Sequence, residues 1–283
     1  MEHSLNKNCF FELPSLELPI TVDELFDEND IHYVNGDFHK IQHTNTENIL
    51  SRVGTVTTNC VWWNKGSITS SAYSKENIIG LGVAQIHNKK IGKKLHDFFY
   101  DTFHADFLAP IRSTEFGLKI LPLSIFCFFP DAHNYWHFEG PRHNLPTNFN
   151  LIRNSSVVNF RLLGPTEDDD TSVQWATVDE KFETELDRLS QAHLDNNLPV
   201  INNLNNSVHI SQGVDNIVSN KWNNSIKIVA ERKGFHNPFC MNVKHWHRVL
   251  LTDKSRCTFR ILGNKDFDFS YYEQLHLEGK FLK

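Results

Sequence analysis

Paired cysteines, an excess of basic residues and long apolar runs are what this sequence has least of, and each shortage removes a class of protein. Its five cysteines, Cys9, Cys60, Cys127, Cys240 and Cys257, are odd in number, widely spread and never in a C-x-x-C pair. That argues against a disulfide framework or a zinc ribbon and leaves free thiols as the expectation. With 28 Lys and Arg against 34 Asp and Glu the net charge is −6, whereas proteins that neutralise nucleic-acid phosphates ordinarily carry a basic excess. A nucleic-acid partner is disfavoured. The longest apolar run, residues 120–129, contains Pro122 and falls short of the roughly 18 residues that a membrane span needs. The first residues show no basic stretch followed by an apolar core, so no secretory signal is read and a cytoplasmic location is expected. Gly80-Leu-Gly82 lacks the third glycine of a dinucleotide fingerprint, position 85 being Gln, and no G-x-x-x-x-G-K-[ST], H-E-x-x-H or G-x-S-x-G occurs. Nucleotide binding and serine hydrolysis lose their usual supports.

What the chain does have is bulk for a core: 283 residues, 40% hydrophobic and 12% aromatic, with 22 Phe and 6 Trp. It has no repeat period, so it is read as one continuous fold with insertions. Residues 91–107 place Ile91, Leu95, Phe98, Phe99, Phe103 and Phe107 at spacings of three and four, the period of an amphipathic helix. A second helical pattern runs over 179–194, with acidic residues in its first turns. From residue 120 onward eight short segments rich in β-branched and aromatic residues read as strands: 120–129, 135–139, 157–163, 172–177, 226–231, 239–243, 247–251 and 256–262. The expected fold is therefore mainly β with flanking helices, an antiparallel sandwich or jelly roll. Residues 1–115 are expected to supply helices that pack on the core, 116–265 the core itself with a long insertion at about 178–225, and 266–283 a C-terminal tail.

Sixteen histidines are the richest source of chemistry. In His137-Phe-Glu139 a strand would put residues i and i+2 on one face, setting an imidazole beside a carboxylate as two neighbouring ligands of a metal require. A third ligand would complete a two-histidine, one-carboxylate set that leaves positions open and suits iron(II). Four H-x-[DE] matches occur, at His104, His137, His193 and His276, where about two are expected by accident. His104 and His193 fall on or at the end of helical patterns, where i and i+2 diverge by roughly 200°, and His276 lies in the expected tail. Only His137 sits in a strand-like aromatic segment, 135–139, broken at once by Gly140-Pro141.

The companion segment is 242–260, Asn242-Val-Lys-His-Trp-His-Arg-Val-Leu-Leu-Thr-Asp-Lys-Ser-Arg-Cys-Thr-Phe-Arg260. It resembles the C-terminal signature of iron(II)- and 2-oxoglutarate-dependent oxygenases, in which the distal metal histidine is followed one strand later by an arginine and, two residues on, a hydroxyl. Those positions are His247, Arg256 and Thr258. The resemblance covers roughly residues 120–265 and extends to the small forms carried by bacteriophages. It implies a double-stranded β-helix of jelly-roll, cupin-like form. His137, Glu139 and His247 would then hold iron(II); Arg256 and Thr258 would seat the distal carboxylate of the cosubstrate 2-oxoglutarate, and Asn159 would meet its metal-binding end. With dioxygen, the outcome implied is hydroxylation of a small molecule or peptide, with release of succinate and carbon dioxide. Strand alternation is consistent with this, since Arg256, Thr258 and Arg260 share one face, and a guanidinium beside a hydroxyl is a good seat for a carboxylate. The family more often has aspartate where this chain has Glu139. His245 is an alternative distal ligand, although the spacing to Asn242, Val249 and Arg256 favours His247. The competing reading is a non-catalytic jelly-roll module, binding or structural as in a virion, with a degenerate metal site.

Overall fold

Residues 256–262 pair as a strand on both sides, and their alternation divides the interior into two layers. Cys257, Phe259 and Ile261 belong to one buried cluster, in which the strand meets two helices; Leu262, on the other face, belongs to a second cluster lying between two sheets. A computed structural model describes residues 9–25, 33–34, 37–38, 60–66, 78–108, 113–114, 117–119, 123–128, 136–139, 155–163, 171–185, 188, 200–202, 208–211, 214–217, 224–250 and 256–283. Its strands are β1 (Phe10–Glu12), β2 (Tyr33–Val34), β3 (Asp37–Phe38), β4 (Cys60–Gly66), β5 (Ile78–Ile86), β6 (Ser113–Thr114), β7 (Gly117–Lys119), β8 (Leu123–Phe128) and β9 (Trp136–Glu139). They continue as β10 (Ser156–Leu163), β11 (Ser172–Val178), β12 (Val200–Asn202), β13 (Val208–Ser211), β14 (Val214–Ile217), β15 (Ile226–Lys233), β16 (Phe239–Asn242), β17 (Trp246–Leu250) and β18 (Arg256–Leu262). The helices are α1 (Val22–Leu25), α2 (Lys89–Thr102) and α3 (Phe269–Leu277).

The protein is mostly β. One antiparallel sheet has the order β1-β16-β10-β18-β8-β5-β7-β6, with β4 also on β5, and the other β12-β13-β14-β9-β17-β11-β15. Four nested pairs form the centre: β8 with β18, β9 with β17, β10 with β16 and β11 with β15. Val157, Phe239, Met241 and Leu262 of the first sheet pack against Val173, Trp175 and Ala230 of the second, an arrangement compatible with a β-sandwich. The outer face of the first sheet packs on α2 and α3, where Phe99, Phe103, Phe160 and Phe259 form one aromatic group. Among the described residues no helix is long and apolar enough to cross a membrane.

All eight expected core strands form, β8 to β11 and β15 to β18, with ends shifted by at most three residues. Several expectations need correction. Helix α2 ends at Thr102 rather than 107: Asn88 caps its start, its Oδ1 accepting from the amides of Lys90 and Ile91, but Phe103 turns extended and pairs with Leu282. Phe103 and Phe107 are fully buried all the same, so the apolar period outlives the helix. In the 179–194 segment residues 180–185 and 188 are helical, started by Asp179, whose Oδ1 accepts from the Phe182 amide at 2.8 Å; 189–194 lie outside the described residues. The N-terminal region contributes strands as well as helix, because 78–86 is an apolar, β-branched run, and Gly80 and Gly82 pair with Phe128 and Phe126 of β8. The insertion is also partly strand, β12 to β14 extending the second sheet beyond β9.

Residues 266–283 are not a tail. Asp268 caps α3 by accepting from the Tyr271 amide at 2.9 Å, and Phe269, Tyr272 and Leu275, spaced by three, are buried in the helix-side cluster. Gly263 makes the close approach possible. A Cβ there would lie 3.0 Å from Phe107 Cε2, 3.1 Å from Tyr272 Cε2 and 3.3 Å from Ser156 Cβ, against rings fixed by their packing. Gly263→Ala is therefore expected to destabilise the protein by about 1–3 kcal/mol, read as a lowered urea midpoint at unchanged slope.

Candidate metal and anion site

Strands β9 and β17 meet in register at His137 and His247, and the two imidazole rings lie 4.1 Å apart, centroid to centroid, tilted by 57°. The same cross-strand row continues to Trp175 of β11, which packs between the sheets, so both histidines stand on the interior face. His247 is buried, and its Nδ1 donates to the His245 carbonyl at 2.8 Å. A carbonyl can only accept, so Nδ1 carries the proton in this contact, and Nε2 is the ring atom that would ligate a metal. Glu139 stands two positions beyond His137 in β9, in register with Val214; its side chain lies outside the described residues. Among the described residues no three His, Cys, Asp or Glu side chains gather in one place.

His245 goes elsewhere. It precedes β17 in a turn and lines a cleft of about 370 Å³ with Trp246, Lys244, Glu183 and 176–178, and burial holds its imidazole below the usual range. Its backbone carbonyl orients His247, while its ring does not join His137.

Arg256 and Thr258 come together on the interior face of β18. Arg256 is only 5% exposed; its Nε donates to Thr258 Oγ1 at 3.0 Å and its NH1 to Thr171 Oγ1 at 3.4 Å, while the guanidinium carbon lies 3.6 Å from the centre of the Phe235 ring. No carboxylate touches Arg256 among the described residues. Burial, then the guanidinium groups of Arg260 and Arg232, push it down to about 9, so it remains a cation at neutral pH. A buried charge without a counterion is costly, by several kcal/mol in real proteins, and the remaining N–H groups of the fork are free for an anion.

Asn159 of β10 is also buried, in register with Arg260 on one side and Phe239 on the other. Its Nδ2 has no hydrogen-bond partner among the described residues, an orphan donor that a ligand oxygen would satisfy. No protein-family model matches the chain, and no curated protein matches it significantly.

The groups described fit an iron(II) and dicarboxylate pair on their own chemistry: two imidazoles side by side, and, among the described residues, a buried guanidinium without a carboxylate and an amide Nδ2 without a partner, all on interior faces. Thr171 and Phe235, which fix Arg256, were not marked by sequence. Thr171 follows the acidic run 167–170 in sequence, and Phe235 follows Gly234, whose φ of 69° turns the chain from β15 to β16; neither position carries a periodic or motif signal.

Proposed function

We propose that the protein is an iron(II)- and 2-oxoglutarate-dependent oxygenase that hydroxylates a small molecule or peptide. The carrying observation is Arg256, a buried cation without a carboxylate partner among the described residues, set in the same inter-sheet interior as the paired histidines His137 and His247. We further read the fold as a double-stranded β-helix. The nested pairs β8·β18, β9·β17, β10·β16 and β11·β15 support this, being those of one long hairpin wound into two sheets, and β10·β18 and β11·β17 close the winding.

In this reading His137, Glu139 and His247 hold the metal, Arg256 and Thr258 seat the distal carboxylate of 2-oxoglutarate, and Asn159 donates to its metal-binding end. Iron(II), 2-oxoglutarate and dioxygen together would supply the oxidising power, 2-oxoglutarate leaving as succinate and carbon dioxide. The chain's own contribution is positioning. The His245 carbonyl holds His247 in its ligating tautomer, and Thr258, Thr171 and Phe235 hold the Arg256 fork. Trp175 and its apolar neighbours keep water from the interior. The free thiols of Cys9, Cys240 and Cys257 suit a reducing cytoplasm.

Anaerobic titration of the protein with iron(II) and 2-oxoglutarate is expected to raise the visible metal-to-cosubstrate charge-transfer band, and admission of air to release succinate. Well-folded protein that gives neither would overturn the proposal.

A further inference from the structure

We propose that the N-terminal strand β1 is part of the cosubstrate seat, with Glu12, Arg232 and Phe235 acting as positioning residues for Arg256. This rests on the reading of Arg256 as the carboxylate anchor. The chain of contacts is continuous. Arg232 is buried, and its guanidinium grips Glu12 with both arms, Nε to Oε1 at 2.7 Å and NH2 to Oε2 at 2.9 Å. The same group donates through NH1 to the Gly234 carbonyl and through NH2 to the Asn237 carbonyl at 2.9 Å, so it spans the turn between β15 and β16. Strand β1 is stitched to that turn a second time, the Leu13 amide donating to the Pro238 carbonyl at 3.0 Å. Both of the outer supports of Arg256 hang from the turn: Phe235 lies within it, and the Gly234 amide holds Thr171 by its carbonyl at 2.9 Å.

Two effects of removing Glu12 oppose each other. Losing its charge makes the pocket more positive and would favour an anion. Losing the grip frees Arg232 and the turn, and with them the ring on which Arg256 lies. Glu12 is 51% exposed, so its field is screened by water and salt, whereas a displaced guanidinium spoils both arms of a bidentate contact. The brace is expected to win.

The test is a titration of iron(II)-loaded protein under argon with 2-oxoglutarate and with 2-oxoadipate, one methylene longer. Glu12→Ala and Phe235→Leu are expected to weaken 2-oxoglutarate by about five- to tenfold and to narrow its preference over 2-oxoadipate, because a loosened fork no longer measures chain length. Iron(II) affinity should be unchanged in both, and Glu12→Ala should melt within a few degrees of the parent. If both variants keep the parental affinity and preference while Arg256→Gln loses 2-oxoglutarate, the brace is wrong and the anchor stands. Tighter binding by Glu12→Ala likewise overturns it, leaving electrostatics alone. A parent protein that binds no 2-oxoglutarate overturns the oxygenase reading and this inference with it.

Discussion

Arg256→Met is expected to stabilise the ligand-free protein while weakening 2-oxoglutarate by about 100-fold, two effects of opposite sign from one side chain. The stabilising part follows from burial. Arg256 is held in the interior without a carboxylate among the described residues, close enough to Arg260 and Arg232 for their charges to oppose its own, and replacing buried ions by apolar groups of similar volume often gains about 1–4 kcal/mol. Against this, Thr258 Oγ1 loses the Nε donor, at a cost of about 1 kcal/mol; Thr171 keeps its bond to the Leu250 carbonyl at 3.0 Å and loses little. The net gain should be up to about 3 kcal/mol, a rise in melting temperature of roughly 2–4 °C per kcal/mol for a protein of this size class. The binding loss follows from removal of a charge-assisted, two-armed contact, about 3 kcal/mol or two decades in Kd. Iron(II) affinity should be kept. Calorimetric melting and an anaerobic 2-oxoglutarate titration read the two effects separately. A variant that unfolds several kcal/mol more easily would mean that Arg256 has a structural counterion, and the anion seat would be lost. A variant that binds 2-oxoglutarate as the parent does would leave only a plain metal site.

The sequence made the centre of the fold legible because the centre obeys period two. In β18 the alternation of Arg256, Thr258 and Arg260 with Cys257, Phe259 and Ile261 is also the division between the two buried layers. His137 and His247, about 110 residues apart, were paired by motif, and the register of β9 with β17 brings them together. The periphery was less legible. The C-terminal segment reads as a tail by sequence, since Phe269, Tyr272 and Leu275, spaced by three, make too short a pattern to separate helix from loop. The strands β12 to β14 carry Val and Ile but are only three or four residues long and lie within an Asn-rich stretch of sequence that favours turns; they pair in series, and β14 joins them to β9. Of the supports of Arg256, only Thr258, two residues away on the same face, is legible in the sequence. Thr171 reaches it across 85 positions and Glu12 reaches Arg232 across 220, contacts fixed by sheet topology and invisible to any local pattern.

His247→Ala is expected to lower iron(II) affinity by at least about 100-fold, and His245→Ala to leave it within about threefold. The two residues are alternatives by sequence, being two apart in one strand-like segment, yet they contribute different atoms. His247 offers Nε2, because Nδ1 is committed to the His245 carbonyl. His245 offers that carbonyl, which belongs to the backbone and survives removal of its imidazole. Truncating His245 should therefore empty part of the neighbouring cleft and spare the tautomer of His247. Equilibrium dialysis with iron(II) under argon separates the cases: loss in His245→Ala with retention in His247→Ala would move the distal ligand by two residues. His137→Ala supplies the cross-check. If the two imidazoles, 4.1 Å apart, bind one ion, the His137→Ala and His247→Ala losses cannot add, since the first removal already abolishes the site that the second would weaken. Additive losses in the double variant would instead report two independent sites, and the facial arrangement on which the oxygenase reading depends would fail with them.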